Sequence, residues 1–144
     1  MVSLKFYESS AVIQASPQTI WSVLTNAAQF PEWNTAVEKI DGSIAAGQSI
    51  TVHAKVSPGR SFPVKVTTFD APRTMVWSGG MPLGLFKGVR TFTLTPRGDS
   101  GTNFKMREEY SGPLLGMIWK SMPDLGPAFE EWAACVKKRA EATA

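Results

Sequence analysis

"IQASPQTIWSVLTNAAQFPEWN", residues 13–34, is the stretch on which the fold turns. Ser16 has the side chain of a helix N-cap, and Pro17 follows where a first helical residue has no use for its N–H. Ile20, Val23 and Leu24 then mark a buried stripe at helical spacing. A second short helix is expected through Ala27–Phe30. It is expected to stop at Pro31, because the residue before a proline avoids helical backbone. Trp33 comes next, at the corner beside Asn34, where a large indole is placed either to close an end of an interior or to staple the corner to the core.

On either side of this stretch the chain reads as strand. Residues 3–14 form the first, with Val12 and Ile13 near its end. From residue 35 the apolar period changes from about 3.6 to 2. "SITVHAKV" sets Ile50, Val52, Ala54 and Val56 against Thr51, His53 and Lys55, and "SFPVKVTTF" sets Phe62, Val64 and Val66 against Pro63, Lys65 and Thr67. "TMVWSGG", "GVRTFTLTP" and "NFKMREEYS" continue the alternation. Turn signals stand at Asp41-Gly42, Pro58-Gly59, Ala71-Pro72-Arg73 and Gly98-Asp99-Ser100-Gly101. These are antiparallel strands with one apolar face. After Gly112-Pro113 the helical period returns, with Ile118, Met122, Leu125, Phe129, Trp132 and Val136 on one stripe. Pro123 and Pro127 split it into a short helix at about 114–121 and a longer one capped by Asp124.

At 144 residues, with 43% hydrophobic and 19% charged residues, the chain is expected to form one globular domain over 1–144. Five tryptophans, at 21, 33, 77, 119 and 132, supply either a Trp-rich core or the lining of an apolar pocket. A net charge of +3, with its densest cluster at Lys137-Lys138-Arg139, reads as a solvated helix end rather than a nucleic-acid surface. No run of eighteen apolar residues is present, so no membrane span is expected. The opening "MVSLKFYESS" lacks the pattern of a secretion signal, and a cytoplasmic location is expected. Cys135 is the single cysteine and reads as a small helix residue.

The order of elements, with the opening stretch and "APRTMVWSGG", "LFKGVRTFTLTP" and "EEYSGPLLGMIWK", resembles the helix-grip (SRPBCC) superfamily over about residues 5–142. That group holds START lipid-transfer domains, birch-pollen-allergen-type proteins and polyketide-cyclase-like proteins. The resemblance implies an α+β fold: a curved antiparallel sheet of six to seven strands wrapped around a long C-terminal helix, with two short helices after strand 1. It identifies the fold far better than the function, because carriers, sensors and enzymes share it. No invariant catalytic set transfers.

A broad sheet facing one helix encloses space, and an apolar cavity beneath Phe129 and Trp132 is expected. Alternation assigns its lining. Phe92 carries Arg90 inward, Met106 carries Glu108 and Tyr110 inward, and Met75 carries Trp77. Arg90 and Glu108 sit on strands joined by one hairpin and are either a pair inside the cavity or solvated at its rim. With Trp33, Trp119, Met122, Phe129 and Trp132 these form the candidate ligand-binding set. His53, the only histidine, has outward parity, which argues against a Ser/His/Asp triad and a His/Cys zinc site. No cofactor or metal is expected. "GGMPLGLFKG" lacks phosphate-loop spacing and, with "PLLGMIW", reads as an apolar entrance or as a loop packed over the core.

The expected function is binding of a hydrophobic small molecule (lipid-like, aromatic or polyketide-like) in that cavity. A polyketide-cyclase or dehydrase-type enzyme using the same interior is the first alternative, with Arg90, Glu108 or Tyr110 polarising a carbonyl. The second is a surface interaction module of co-chaperone type. A homodimer is left open, and no nucleic-acid partner is expected.

Overall fold

The computed structural model describes residues 5–98 and 101–143. The first two residues of the expected opening strand (3 and 4) and the Asp99-Ser100 part of the expected turn lie outside them. Seven strands form one antiparallel sheet: β1 (Lys5–Ile13), β2 (Val37–Asp41), β3 (Ser49–Ala54), β4 (Phe62–Asp70), β5 (Thr74–Gly80), β6 (Lys87–Pro96) and β7 (Thr102–Ser111). Their order across the sheet is β1-β7-β6-β5-β4-β3-β2, so the first strand crosses to pair with the last. Helices α1 (Pro17–Thr25) and α2 (Phe30–Trp33), with a 3₁₀ turn at Ala27–Gln29 between them, bridge the two sheet edges. Helices α3 (Leu115–Ser121) and α4 (Gly126–Thr143) end the fold. This is the α+β helix-grip architecture.

Helix α1 begins as its sequence dictates, with the Thr19 N–H donating to Ser16 Oγ at 3.1 Å and Pro17 in the first turn. Pro31 departs from expectation. It does not end a helix but occupies the first turn of α2, where a missing N–H leaves nothing unsatisfied. Phe30 accepts helical backbone before it (φ −51°, ψ −44°) because its fully buried ring is held against Trp33 and Trp132. At α4, Asp124 Oδ1 accepts the Gly126 N–H at 2.9 Å, and Pro127 lies in the first turn.

The strand alternation holds in the middle of the sheet and fails at its margins. Ile50, Val52 and Val66 are buried, but Val56 lies past the end of β3 and Phe62 opens β4, and both are exposed. The register of β4 on β5 slips between Val66 and Thr68. That bulge turns Phe69 to the inner face, where its ring meets Trp21 at 5.1 Å. Phe129, Trp132, Val136 and Ala140 carry the α4 stripe into the core, while Ile118 and Met122 are only partly buried at the α3–α4 joint.

The basic cluster of α4 does not cap the helix end, which runs on to Thr143. Lys137 Nζ donates to the Val12 carbonyl and to Glu141 Oε2, both at 2.7 Å, and Glu141 accepts the Gln14 N–H. Arg139 reaches Gln29 Oε1 and Glu32 across to α2. These side chains tie α4 to the sheet edge and the corner. His53 pairs with Asp41 Oδ2 at 2.8 Å on β2–β3, away from the interior. Cys135 is half-buried on α4, 3.3 Å from Thr35 Oγ1. No helix among the described residues is long and apolar enough to cross a membrane.

Replacing Ser16 with Ala removes the α1 cap and is expected to lower stability by about 1 kcal/mol. Urea unfolding with an unchanged slope checks this; an unchanged midpoint would show that the cap contributes nothing.

Candidate ligand-binding site

Cross-strand register stacks the inner face of the sheet into rows, and three rows define the site. The deepest joins Met75, Phe92, Met106 and Ser9. The next joins Val66, Trp77, Arg90, Glu108 and Tyr7 across five strands. Above it come Gly79, Gly88, Tyr110 and Lys5. The floor therefore changes from apolar, through an ion pair flanked by aromatics, to two adjacent glycines.

Arg90 Nε donates to Glu108 Oε1 at 2.6 Å, with about a fifth or less of either side chain exposed. The guanidinium also lies 4.8 Å from the Phe129 ring centre and 5.5 Å from that of Trp132. Gly88 makes room for this arrangement, since a Cβ there would come within 3.0 Å of Glu108 Oε2 and 3.5 Å of the Tyr110 ring. Tyr110 is buried near the Glu108 carboxylate, short of a hydrogen bond to it. Burial first, and the Glu108 charge second, push its hydroxyl far above the ordinary phenol value. The phenol stays protonated.

Two donors on this floor have no hydrogen-bond partner among the described residues, Trp77 Nε1 and Tyr110 Oη, and both are buried. Ser9 Oγ, one row deeper, shares that condition. A buried polar group without a partner is costly and uncommon.

The rest of the expected site divides between lid and core. Phe86, from the loop after β5, stacks on Tyr110 with centroids 6.1 Å apart, and Trp119 of α3 meets the same ring at 5.6 Å. Trp119 also stacks on Tyr7 at 5.4 Å, under Lys5. The two lips are joined backbone to backbone. The Leu114 N–H donates to the Leu85 carbonyl at 2.9 Å. Gly112, at φ +110°, permits the contact, because a Cβ there would stand 2.6 Å from that carbonyl oxygen. Outside the lips, Leu83 is 96% exposed and Met117 65%. Met122 ends α3, partly exposed and at the margin of the cluster.

Beneath Phe129 and Trp132, where a cavity is expected, aromatic rings gather. Trp132 meets Phe30, Phe92, Trp33 and Trp77 at centroid distances of 5.5, 5.7, 6.2 and 6.2 Å. Two recesses lie on the outside of the molecule. One, of about 250 Å³, is bounded by α1, Gln29, Trp33 and the end of α4. A wider one, of about 510 Å³, lies between α1 and Gly42–Ile44. Trp33 thus packs the corner into the core and shows one edge to the smaller recess.

Sequence reasoning missed Tyr7 and Phe86. In β1, Tyr7 and Ser9 alternate with Phe6 and Glu8, so neither face reads as apolar. Phe86 sits in a loop, where parity says nothing.

Over residues 6–141 the sequence matches the family described as polyketide cyclase / dehydrase and lipid transport. The chain belongs to that family. The cyclase/dehydrase fold recurs in solved structures of low identity. Norcoclaurine synthase of Thalictrum flavum is 21% identical over 99% of both chains with a TM-score of 0.70. An aromatase/cyclase of Streptomyces sp. R1128 is 12% identical, covering 96% of this chain and 94% of its own, at 0.74. A START superfamily protein of Mycobacterium smegmatis is 15% identical, covering 96% and 99%, at 0.71. Among curated proteins no relative is found.

Arg90→Met and Glu108→Leu are each expected to destabilise the fold by about 3 kcal/mol, the lower end for a broken buried pair, since both side chains keep some exposure. The double variant should lose less than the sum, and simple additivity in unfolding experiments would show that the pair does not couple. The phenol of Tyr110 gives a second test. Its folded pKa is raised, so its contribution is fully present below pH 10 and is lost as pH rises, because only the unfolded phenol ionises. The stability difference between the protein and Tyr110→Phe should therefore shift against the unsubstituted chain by about 1.4 kcal/mol per pH unit above 10. A difference independent of pH in that range would refute the burial of the phenol.

Proposed function

We propose that the chain binds a hydrophobic small molecule at the end of the sheet–helix interface, where the Arg90–Glu108 pair forms the floor and aromatic rings form the walls. The observation that carries this reading is the pair of buried donors without partners among the described residues, Trp77 Nε1 and Tyr110 Oη, near a part-buried ion pair. Aromatic walls with a few converging polar groups are the usual lining of a small-molecule site. The ligand enters by displacing Phe86 and Trp119, which cover Tyr110 from two lips whose outer surface is apolar. Trp33, Phe92, Met106 and Trp132 serve as the packed wall behind it, and Met122 as part of the rim. The family description, which includes lipid transport, supports a carrier of this kind.

A second reading is an enzyme of cyclase or dehydrase type in the same site. What favours it is Tyr110. A phenol kept protonated beside a guanidinium is placed to polarise a carbonyl by hydrogen bonding. One of the similar structures is an aromatase/cyclase.

Native mass spectrometry of the purified protein, followed by titration with the neutral dye Nile red, tests the binding reading. One saturable site is expected, with affinity reduced at least about tenfold in Gly88→Leu, whose side chain would fill the space beside Glu108 and Tyr110. Absence of any saturable binding by folded protein would overturn it. Binding untouched by Gly88→Leu would move the site to one of the outer recesses.

A further inference from the structure

The apolar surface outside the two lips belongs to no part of the polar row, and it is exposed whatever the interior holds. We propose that the lips form a docking surface for an anionic bilayer. Leu83 and Met117 enter the headgroup layer, and Lys5, Lys87 and Lys120 face the lipid phosphates.

The apolar part comes from two segments that the backbone holds together. One is the loop between β5 and β6, where Met81, Pro82 and Leu83 are all exposed. The other leads into α3, where Pro113 and Met117 are exposed. The Leu114 N–H donates to the Leu85 carbonyl, and Gly112 lies against the carbonyls of Gly84 and Leu85, so the two tips form one surface.

Leu83 stands out within it. Among the described residues it is the one non-glycine residue with positive φ, at 63°. Such backbone suits glycine or asparagine and is unfavourable for a leucine. At 96% exposure the side chain nonetheless touches almost nothing of the fold. An aliphatic side chain held clear of its own protein is stabilised only by a medium outside it.

The charge around this surface has one sign. Lys87 closes the loop, paired with Gly80 at its base and with Ser111 of β7. Lys120 stands about one turn beyond Met117 on the exposed side of α3. Lys5 lies over the Trp119 ring of the same helix. From Ala71 to Gly98, and again from Tyr110 to Pro123, the chain holds no aspartate or glutamate. The acids that border the second stretch are engaged: Glu108 with Arg90, Glu109 with Arg107, and Asp124 with the Gly126 N–H.

Apolar tips fringed by lysines suit an anionic lipid surface. Burial at the headgroup boundary and attraction to the phosphates both contribute. A second copy of the chain is the poorer occupant, because facing lips would set lysines against lysines.

Flotation of the full chain with lipid vesicles tests the proposal. Folded protein is expected to bind vesicles of equal parts phosphatidylcholine and phosphatidylserine at least about tenfold more tightly than phosphatidylcholine alone. Leu83→Asn combined with Met117→Gln should weaken binding to the mixed vesicles at least about tenfold. Asparagine suits the backbone at that position, so the urea midpoint should not fall. Changing Lys5, Lys87 and Lys120 together to Gln should remove the preference for the anionic lipid. Lys138→Gln should leave it intact, because Lys138 is exposed on α4 next to Lys137, which binds the opposite end of β1. No binding by folded protein to either vesicle, or equal affinity in the Leu83 and Met117 variant, would overturn the proposal. So would a dimer in sedimentation velocity that the same variant abolishes, since a second copy would then cover the patch. Nile red binding reads the interior alone, so these outcomes leave the binding reading untouched.

Discussion

Trp132 is the contact around which the molecule closes. Its indole stands on α4 and meets rings from α2, β5 and β6 within about 6 Å, so one side chain joins the helix, the corner and the sheet. Everything that positions the polar row follows from that junction. Phe30 is held well enough to take helical backbone before a proline, and Trp33 is carried into the corner beside it. Trp77 makes T-shaped contacts with Phe92 and Trp132, and its N–H has no partner among the described residues. A ring cluster of this kind is non-directional in its energetics but specific in its shape. It fixes where the few directional groups must lie.

The fold was legible because it rests on local signals. The Ser16–Pro17 start of α1, the return of the helical period after Gly112 and the alternation of the central strands all follow from short-range chemistry. Arg90 and Glu108 were placed inward by parity alone, and the structure sets them 2.6 Å apart. Less was legible where a single inserted residue resets parity, as at Val66/Thr68, or where a strand outruns the helix that covers it, as at Phe62. How the rings pack beneath Phe129 was not legible at all. Whether five indoles line a space or occupy it depends on how they turn against one another, and composition does not record that.

The polar row shows how such a sheet can carry charge at low cost. A buried ion pair adds little stability because desolvation roughly offsets attraction. Here each charge has a further neighbour. Aromatic faces receive the guanidinium, and the backbone at Gly88 gives way to the carboxylate. The row is neutral as a whole, while Trp77 Nε1 within it and Tyr110 Oη in the row above have no partner among the described residues. Neutrality makes it tolerable in the folded state.

The contact between α4 and β1 has a consequence of a different kind. A sheet that ends in a nine-residue strand offers an open ladder to any other extended chain. Lys137 takes the carbonyl of Val12, and Glu141 takes the N–H of Gln14 just beyond the strand, so the last rungs are occupied by side chains before another backbone can reach them. The opposite margin, β2, is short, irregular in register and carries Glu38, Lys39 and Asp41. The helix that grips the sheet from inside therefore also guards its edge, and loosening it would free a pairing surface at the same moment that it opened the interior.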